Sequence, residues 1–113
     1  MTIFRAFLIV AWAAVVVVTV FAVQSQGVSA AGDVFFADMA AGDWRGQFNV
    51  DFMAHLLLIA GWVVWREQFS AKGIVLAVLC VMGGGLVSLA YLLVISITAK
   101  GNMQEILTGR RPV

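Results

Sequence analysis

Asp51 and His55 stand four residues apart in an otherwise apolar run, Val50-Asp51-Phe52-Met53-Ala54-His55-Leu56-Leu57-Leu58. On a helix that spacing puts a carboxylate and an imidazole on one face, a turn apart. Three chemistries use such a pair. The carboxylate can hold one ring nitrogen and so fix a helix rotation, as a hydrogen-bonded clasp. The pair can instead relay protons or bind a ligand, since imidazoles as a class change charge near neutral pH. Alternatively, the ring can be the axial ligand of a haem or a chlorophyll. A bis-histidine haem would need a second chain, because His55 is the only histidine. The clasp is the expectation, with an oligomeric transporter or channel site and pigment or haem binding as alternatives.

No other constellation competes with this pair. Cys80 is the only cysteine, which excludes an internal disulfide, and its apolar neighbours make it a small packing residue rather than a reactive thiol. Zinc-ligand spacing, a glycine-rich phosphate loop and a nucleophile elbow are all missing. No catalytic residue, metal or cofactor is therefore expected, and the chain does not read as an enzyme. A net charge of +1 with no basic cluster excludes nucleic acid as a partner.

The elements that must position the pair belong to a membrane. The 113 residues are 63% hydrophobic and 12% charged, against roughly 45–50% and about 25% in soluble domains. A fold this small could not hide that much apolar surface from water. The expected class is an all-α integral membrane protein, one domain over 1–113, with three spans at about 4–23, 48–65 and 74–99. Val28-Ser29-Ala30 resembles a signal-peptidase site, but the first apolar run is longer than a usual signal core, and a retained helix is expected. Trp44 and Arg45 at one end of the second span and Trp62, Trp65 and Arg66 at the other suit its two interfaces. The short turn 66–73 makes spans two and three an antiparallel hairpin. In the third span Ala77, Cys80, Gly84 and Ser88 form a small-residue stripe, which favours close helix packing within the subunit over a dimer seam.

With the centres of that hairpin level, Ser88 faces His55 and Tyr91 faces Asp51. The expectation is one intramembrane cluster of Asp51, His55, Ser88 and Tyr91, with Asn49 and Arg45 nearby. Residues 33–41, rich in Phe and bracketed by Gly32 and Gly42, read equally as a short interfacial helix or a surface loop. Asp43 or Asn49 is expected to cap the second span. Asn102 with Glu105 reads as the start of a short interfacial helix in the tail, where Arg110 and Arg111 would reach phosphate headgroups, with a disordered tail as the alternative. Arg5 before an acidic first loop places the amino terminus inside. Three spans then put Arg5, Arg66 and Lys72 inside and Arg45, Lys100, Arg110 and Arg111 outside, so the charge count does not decide.

Several of these segments together resemble a family of small bacterial membrane proteins of unknown function. They are the Arg-Ala-Phe start of the first helix, Val34-Phe35-Phe36-Ala37-Asp38, Trp44-Arg45-Gly46-Gln47-Phe48-Asn49-Val50-Asp51-Phe52, Trp62-Val63-Val64-Trp65-Arg66-Glu67, and Gly84-Gly85 through Tyr91-Leu92-Leu93. The resemblance implies three helices in a bacterial inner membrane and carries no activity with it; His55 is not among its features. The role expected is a structural or accessory subunit, with the lipid bilayer and a homo-oligomer or larger membrane complex as partners.

Overall fold

The computed structural model describes residues 1–109, all helix and connection. Six helices follow one another: α1 (Thr2–Gln26), α2 (Ala30–Met39), α3 (Trp44–Arg66), α4 (Ala71–Gly83), α5 (Gly85–Thr98) and α6 (Met103–Thr108). No strand occurs among the described residues. Arg110 and Arg111, expected at the headgroups, lie outside them.

Two helices, α1 with 25 residues and α3 with 23, are long and apolar enough to cross a bilayer. Their ends follow local chemistry. Gly27 closes α1 at a φ of 82°, in the left-handed region that suits glycine. At the start of α3, the Asp43 carboxylate accepts the Arg45 amide at 3.0 Å, an oxygen cap for an orphan N–H; Asn49 instead donates to the Phe35 carbonyl at 3.0 Å. That bond helps to hold α2 against the first turns of α3. Gly46 lets the two backbones approach there, since a Cβ would stand 2.9 Å from the Met39 carbonyl oxygen.

The continuous span expected over 74–99 is two helices. Gly84, at φ 56° and ψ −133°, ends α4 and starts α5. This is a backbone region that residues with a Cβ scarcely enter. Beyond it the chain turns back. Gly84 lies against the Phe52 ring and Leu56 of α3, whereas Tyr91, seven residues on, bonds Glu67 just beyond the far end of α3. Lengths explain the geometry: thirteen and fourteen residues make arms of about 20 Å each, short of a hydrocarbon core of about 30 Å. The amides of Gly85 and Leu86 and the carbonyls of Val81 and Met82 have no backbone partner in this turn among the described residues. Leu86 offers its carbonyl to Trp12 Nε1 of α1 at 2.9 Å.

Each arm has its own long helix. α4 lies antiparallel on α3, with Gly73, Ala77, Cys80 and Gly84 buried at four- and three-residue intervals. α5 lies antiparallel on α1, pairing Val15 with Gly85 at the turn and Arg5 with Ser96 at the other end. Gly101 then sits beside Met1. The start of α1, the ends of α3 and α5, the start of α4 and all of α6 therefore gather at one pole. α6 begins as its sequence predicts, with Asn102 Oδ1 accepting the Glu105 amide at 3.2 Å. It is less superficial than expected: Ile106 is 1% exposed and packs with Ile95 and Ala99, leaving Met103 and Leu107 outward.

Outside these contacts the molecule is oily. Its accessible surface is 7577 Å², against about 6000 Å² for a compact soluble monomer of 12.1 kDa. The long faces of α1 and α3 expose Phe7, Val10, Val18, Phe21, Phe48 and Leu58.

Candidate functional site

Polar side chains collect in three places. At the acidic pole, Arg45 pairs with Asp43 at 2.8 Å and approaches Asp38 at 3.8 Å. The Arg45 side chain holds the Asp43 carboxyl below the usual carboxylate range, opposed in part by desolvation. A lowered folded value means that the cap contributes fully above the unfolded value of about 3.9. The contribution is lost as pH falls through the folded value. The Arg45 amide resonance of the detergent-solubilised protein is expected to move on acidification only below that point. Movement between pH 6 and 5 would show that Asp43 is not the group responsible.

The opposite pole carries the densest network. Arg66 donates Nε to the Ile106 carbonyl at 2.6 Å and Nη2 to the Glu105 carbonyl at 3.2 Å. Its Nη1 reaches Glu67 Oε1 at 2.8 Å and the Tyr91 hydroxyl at 3.0 Å. Tyr91 in turn donates to Glu67 Oε1 at 2.6 Å. The fork geometry of a guanidinium is what allows one side chain to hold α5 and α6 to the end of α3. Trp62 adds a bond from Nε1 to the Leu107 carbonyl at 2.9 Å and packs its ring edge-to-face on Tyr91. Beside it, Arg5 donates Nε to Ser96 Oγ at 3.2 Å and Nη2 to the Ser96 carbonyl at 2.7 Å. Between α4 and α5 a cleft of about 680 Å³ opens onto this network, walled by Leu76, Val87, Ala90 and Val94.

Asp51 and His55 form the third place. His55 Nδ1 lies 2.8 Å from Asp51 Oδ1 and 2.8 Å from the Asp51 carbonyl. With its proton on Nδ1 the ring donates to both oxygens, which makes Nε2 the acceptor nitrogen. Both side chains point away from the rest of the chain, 50% and 71% exposed. His55 is the middle residue of α3, so this polar pair sits halfway along a helix of spanning length.

The expected four-residue cluster is therefore corrected. Asp51 and His55 are together, but no hydrogen bond joins Ser88 or Tyr91 to them. Tyr91 is committed to Arg66 and Glu67, about 22 Å along α3 from Asp51. The cause is Gly84, which sends α5 back instead of onward. Asn49 and Arg45, expected beside the cluster, bond Phe35 and Asp43. Ala77, Cys80 and Gly84 are buried together, whereas Ser88 stands half-buried on the other arm. Of the expected interface residues, Trp44 and Trp65 are exposed. The Arg66 side chain is only 10% exposed, taken up by the network at this pole.

The Arg66–Glu67–Tyr91 network was missed by sequence reasoning. Its signal lay in the three consecutive glycines, read as turn rather than as helix. Comparison with protein family models, with curated proteins and with solved structures finds no match to this chain.

Proposed function

We propose that the chain is an integral membrane protein acting as a structural or accessory subunit, with no catalysis of its own. Its α3 helix offers the Asp51–His55 face to another membrane helix. The observation that carries this reading is that exposed polar pair at the middle of a spanning-length helix. Hydrocarbon satisfies neither group, and an aspartate at a helix centre costs about 3 kcal/mol on insertion scales. Arg5, Arg66 and Tyr91 are spent on ties between this chain's own helices, whereas this pair is directed outward from the middle of its helix.

In this reading α1 and α3 cross the bilayer, and α4–α5 enters and leaves by one face as a re-entrant hairpin. The long dimension of 46 Å compares with about 40–45 Å for a bilayer with its headgroups. Non-helical backbone is tolerated at such depth where protein buries it, and Gly84 is buried under Phe52 and Leu56. The arrangement also favours one orientation. Arg5, Arg66, Lys72 and Lys100 share a pole, while Arg45 is alone with Asp33, Asp38 and Asp43 at the other. The positive-inside rule makes the first pole cytoplasmic. The carboxyl-terminal tail, which leaves Gly109 against Arg66, starts on the same side as the amino terminus. Three full spans would have it start opposite.

Accessibility labelling in sealed vesicles tests this. In a Cys80→Ser background, Thr2→Cys and Gln104→Cys are expected to react with an impermeant maleimide from one side, and Gly42→Cys from the other. Labelling of Thr2→Cys and Gln104→Cys from opposite sides would restore the three-span topology. Release of the protein by carbonate extraction would remove the membrane reading altogether.

A further inference from the structure

We infer that His55 is the axial ligand of a lipophilic metal–tetrapyrrole, a haem or a chlorophyll, seated on the outward face of α3 within the bilayer. The inference rests on the membrane reading above and specifies what stands between that face and the neighbouring helix.

The pair ties no two elements of the subunit together. Asp51 and His55 belong to one helix, a turn apart, so their contact joins α3 only to itself, where the backbone ladder already fixes the geometry. Its effect is on the ring. Nδ1 lies 2.8 Å from both Asp51 Oδ1 and the Asp51 carbonyl oxygen, and a nitrogen set between two acceptors must carry the hydrogen. The neutral ring then has its lone pair on Nε2, at a fixed rotation. Metal-binding histidines are prepared in this way. Their other ring nitrogen donates to a carboxylate or a backbone carbonyl, which sets the tautomer and raises the basicity of the ligating nitrogen. His55 has both kinds of acceptor on one N–H.

The surroundings select the carrier of the metal. A bare ion needs several protein ligands, and no group of three or more histidines, cysteines and carboxylates stands together among the described residues. A tetrapyrrole surrounds its metal with four nitrogens of its own and asks the protein for an axial ligand. The single histidine of the chain matches that demand. A flat, apolar macrocycle also needs open apolar surface on either side of its ligand. Phe52 and Leu58, three residues before and three after His55, are 47% and 71% exposed, and Ala54, next in sequence, is exposed and small. The His55 side chain is itself 71% exposed, so nothing in the described chain covers the approach. A hydroxyl of a neighbouring helix is the other group that Nε2 accepts. For that bond the backbone carbonyl alone would orient the ring. A carboxylate is costly at mid-helix, and the basicity it adds strengthens a metal–nitrogen bond directly.

Titration of the purified protein in dodecyl maltoside with haem b and, separately, with chlorophyll a tests the site, followed by the visible spectrum. One of the two is expected to bind saturably at one per chain, with a shifted Soret band. A response to haem b names iron as the metal, and a response to chlorophyll a names magnesium. His55→Ala is expected to abolish the shift, and so is His55→Gln, which keeps a polar side chain without the imidazole. Asp51→Asn is expected to weaken binding by about 10–100-fold, the range for losing a partner behind a metal ligand. Asp33→Asn removes the same charge away from the ring and is expected to change nothing. A shift that survives both His55 variants overturns the ligand role. So does the lack of a saturable shift with either pigment in protein that resists carbonate extraction. Both results leave the membrane reading standing, with a hydroxyl of another helix as the partner of Nε2.

Discussion

Gly84→Val is expected to open the α4–α5 hairpin and expose Cys80 to a maleimide that leaves the native protein untouched. Two independent costs act at this position. A side chain at φ 56° and ψ −133° is strained whatever the space, by about 1–3 kcal/mol. A Cβ there also stands 3.1 Å from the Phe52 ring, inside normal contact distance, and the two further methyls of valine make this worse. Gly84→Ala is expected to destabilise by about 2–3 kcal/mol on the same grounds. Cys80 is the natural reporter, since it is 0% exposed and lies one turn before the break. Gly32→Ala serves as the control, because its new methyl meets nothing and alanine favours a helix; it should leave labelling unchanged. If Gly84→Val protects Cys80 as well as wild type does, residues 71–98 are not held by a turn at Gly84.

The second large effect belongs to Arg66. Arg66→Ala is expected to lower stability by about 3–5 kcal/mol, the range for removing one member of a buried ion pair. The loss exceeds a single contact because four groups each lose one donor together: Glu67, Tyr91 and the carbonyls of Glu105 and Ile106. α6 is tied by two of these bonds and should detach first. Trypsin cleavage after Lys100 then accelerates before the bulk of the helical signal melts. Arg66→Lys is expected to recover only part of the loss, because an ammonium cannot reproduce the planar fork. A thermal midpoint unchanged by Arg66→Ala would mean that α6 is held by Ile106 and the Trp62–Leu107 bond without help from Arg66.

How much of this was legible in the sequence depends on which interaction decides each feature. Helix content, the two long helices, the Asp43 and Asn102 caps and the Asp51–His55 contact are local, set by residues within a turn or two. They can be read from hydropathy and short-range spacing. The return of α5 is not local. In hydropathy terms residues 74–99 are one uninterrupted run, and three glycines are compatible with a helix in lipid as well as with a turn. What tips the balance is long-range: Trp12 on Leu86, Arg5 on Ser96 and Arg66 on Tyr91. With three full spans the lysines and arginines divide three to four, whereas the return at the glycines brings Lys100 to the pole of Arg5, Arg66 and Lys72.

The break at Gly84 also bears on the order in which the protein is made. From Gly73 to Ala99 the chain carries no charged residue, and about twenty-seven such residues reach about 40 Å as one helix. Insertion machinery that gauges apolar length would meet a single full crossing, although on the re-entrant reading proposed above the finished molecule holds two half-crossings. Both helices that receive the arms, α1 and α3, are synthesised before this segment emerges, so their docking faces are already in place when it arrives. Lys100, the first charge after it, resists being carried across. On the membrane reading, the final topology is thus decided by timing as well as by hydrophobicity, and a copy whose α1 is displaced at that moment would strand its last segment straight through the bilayer.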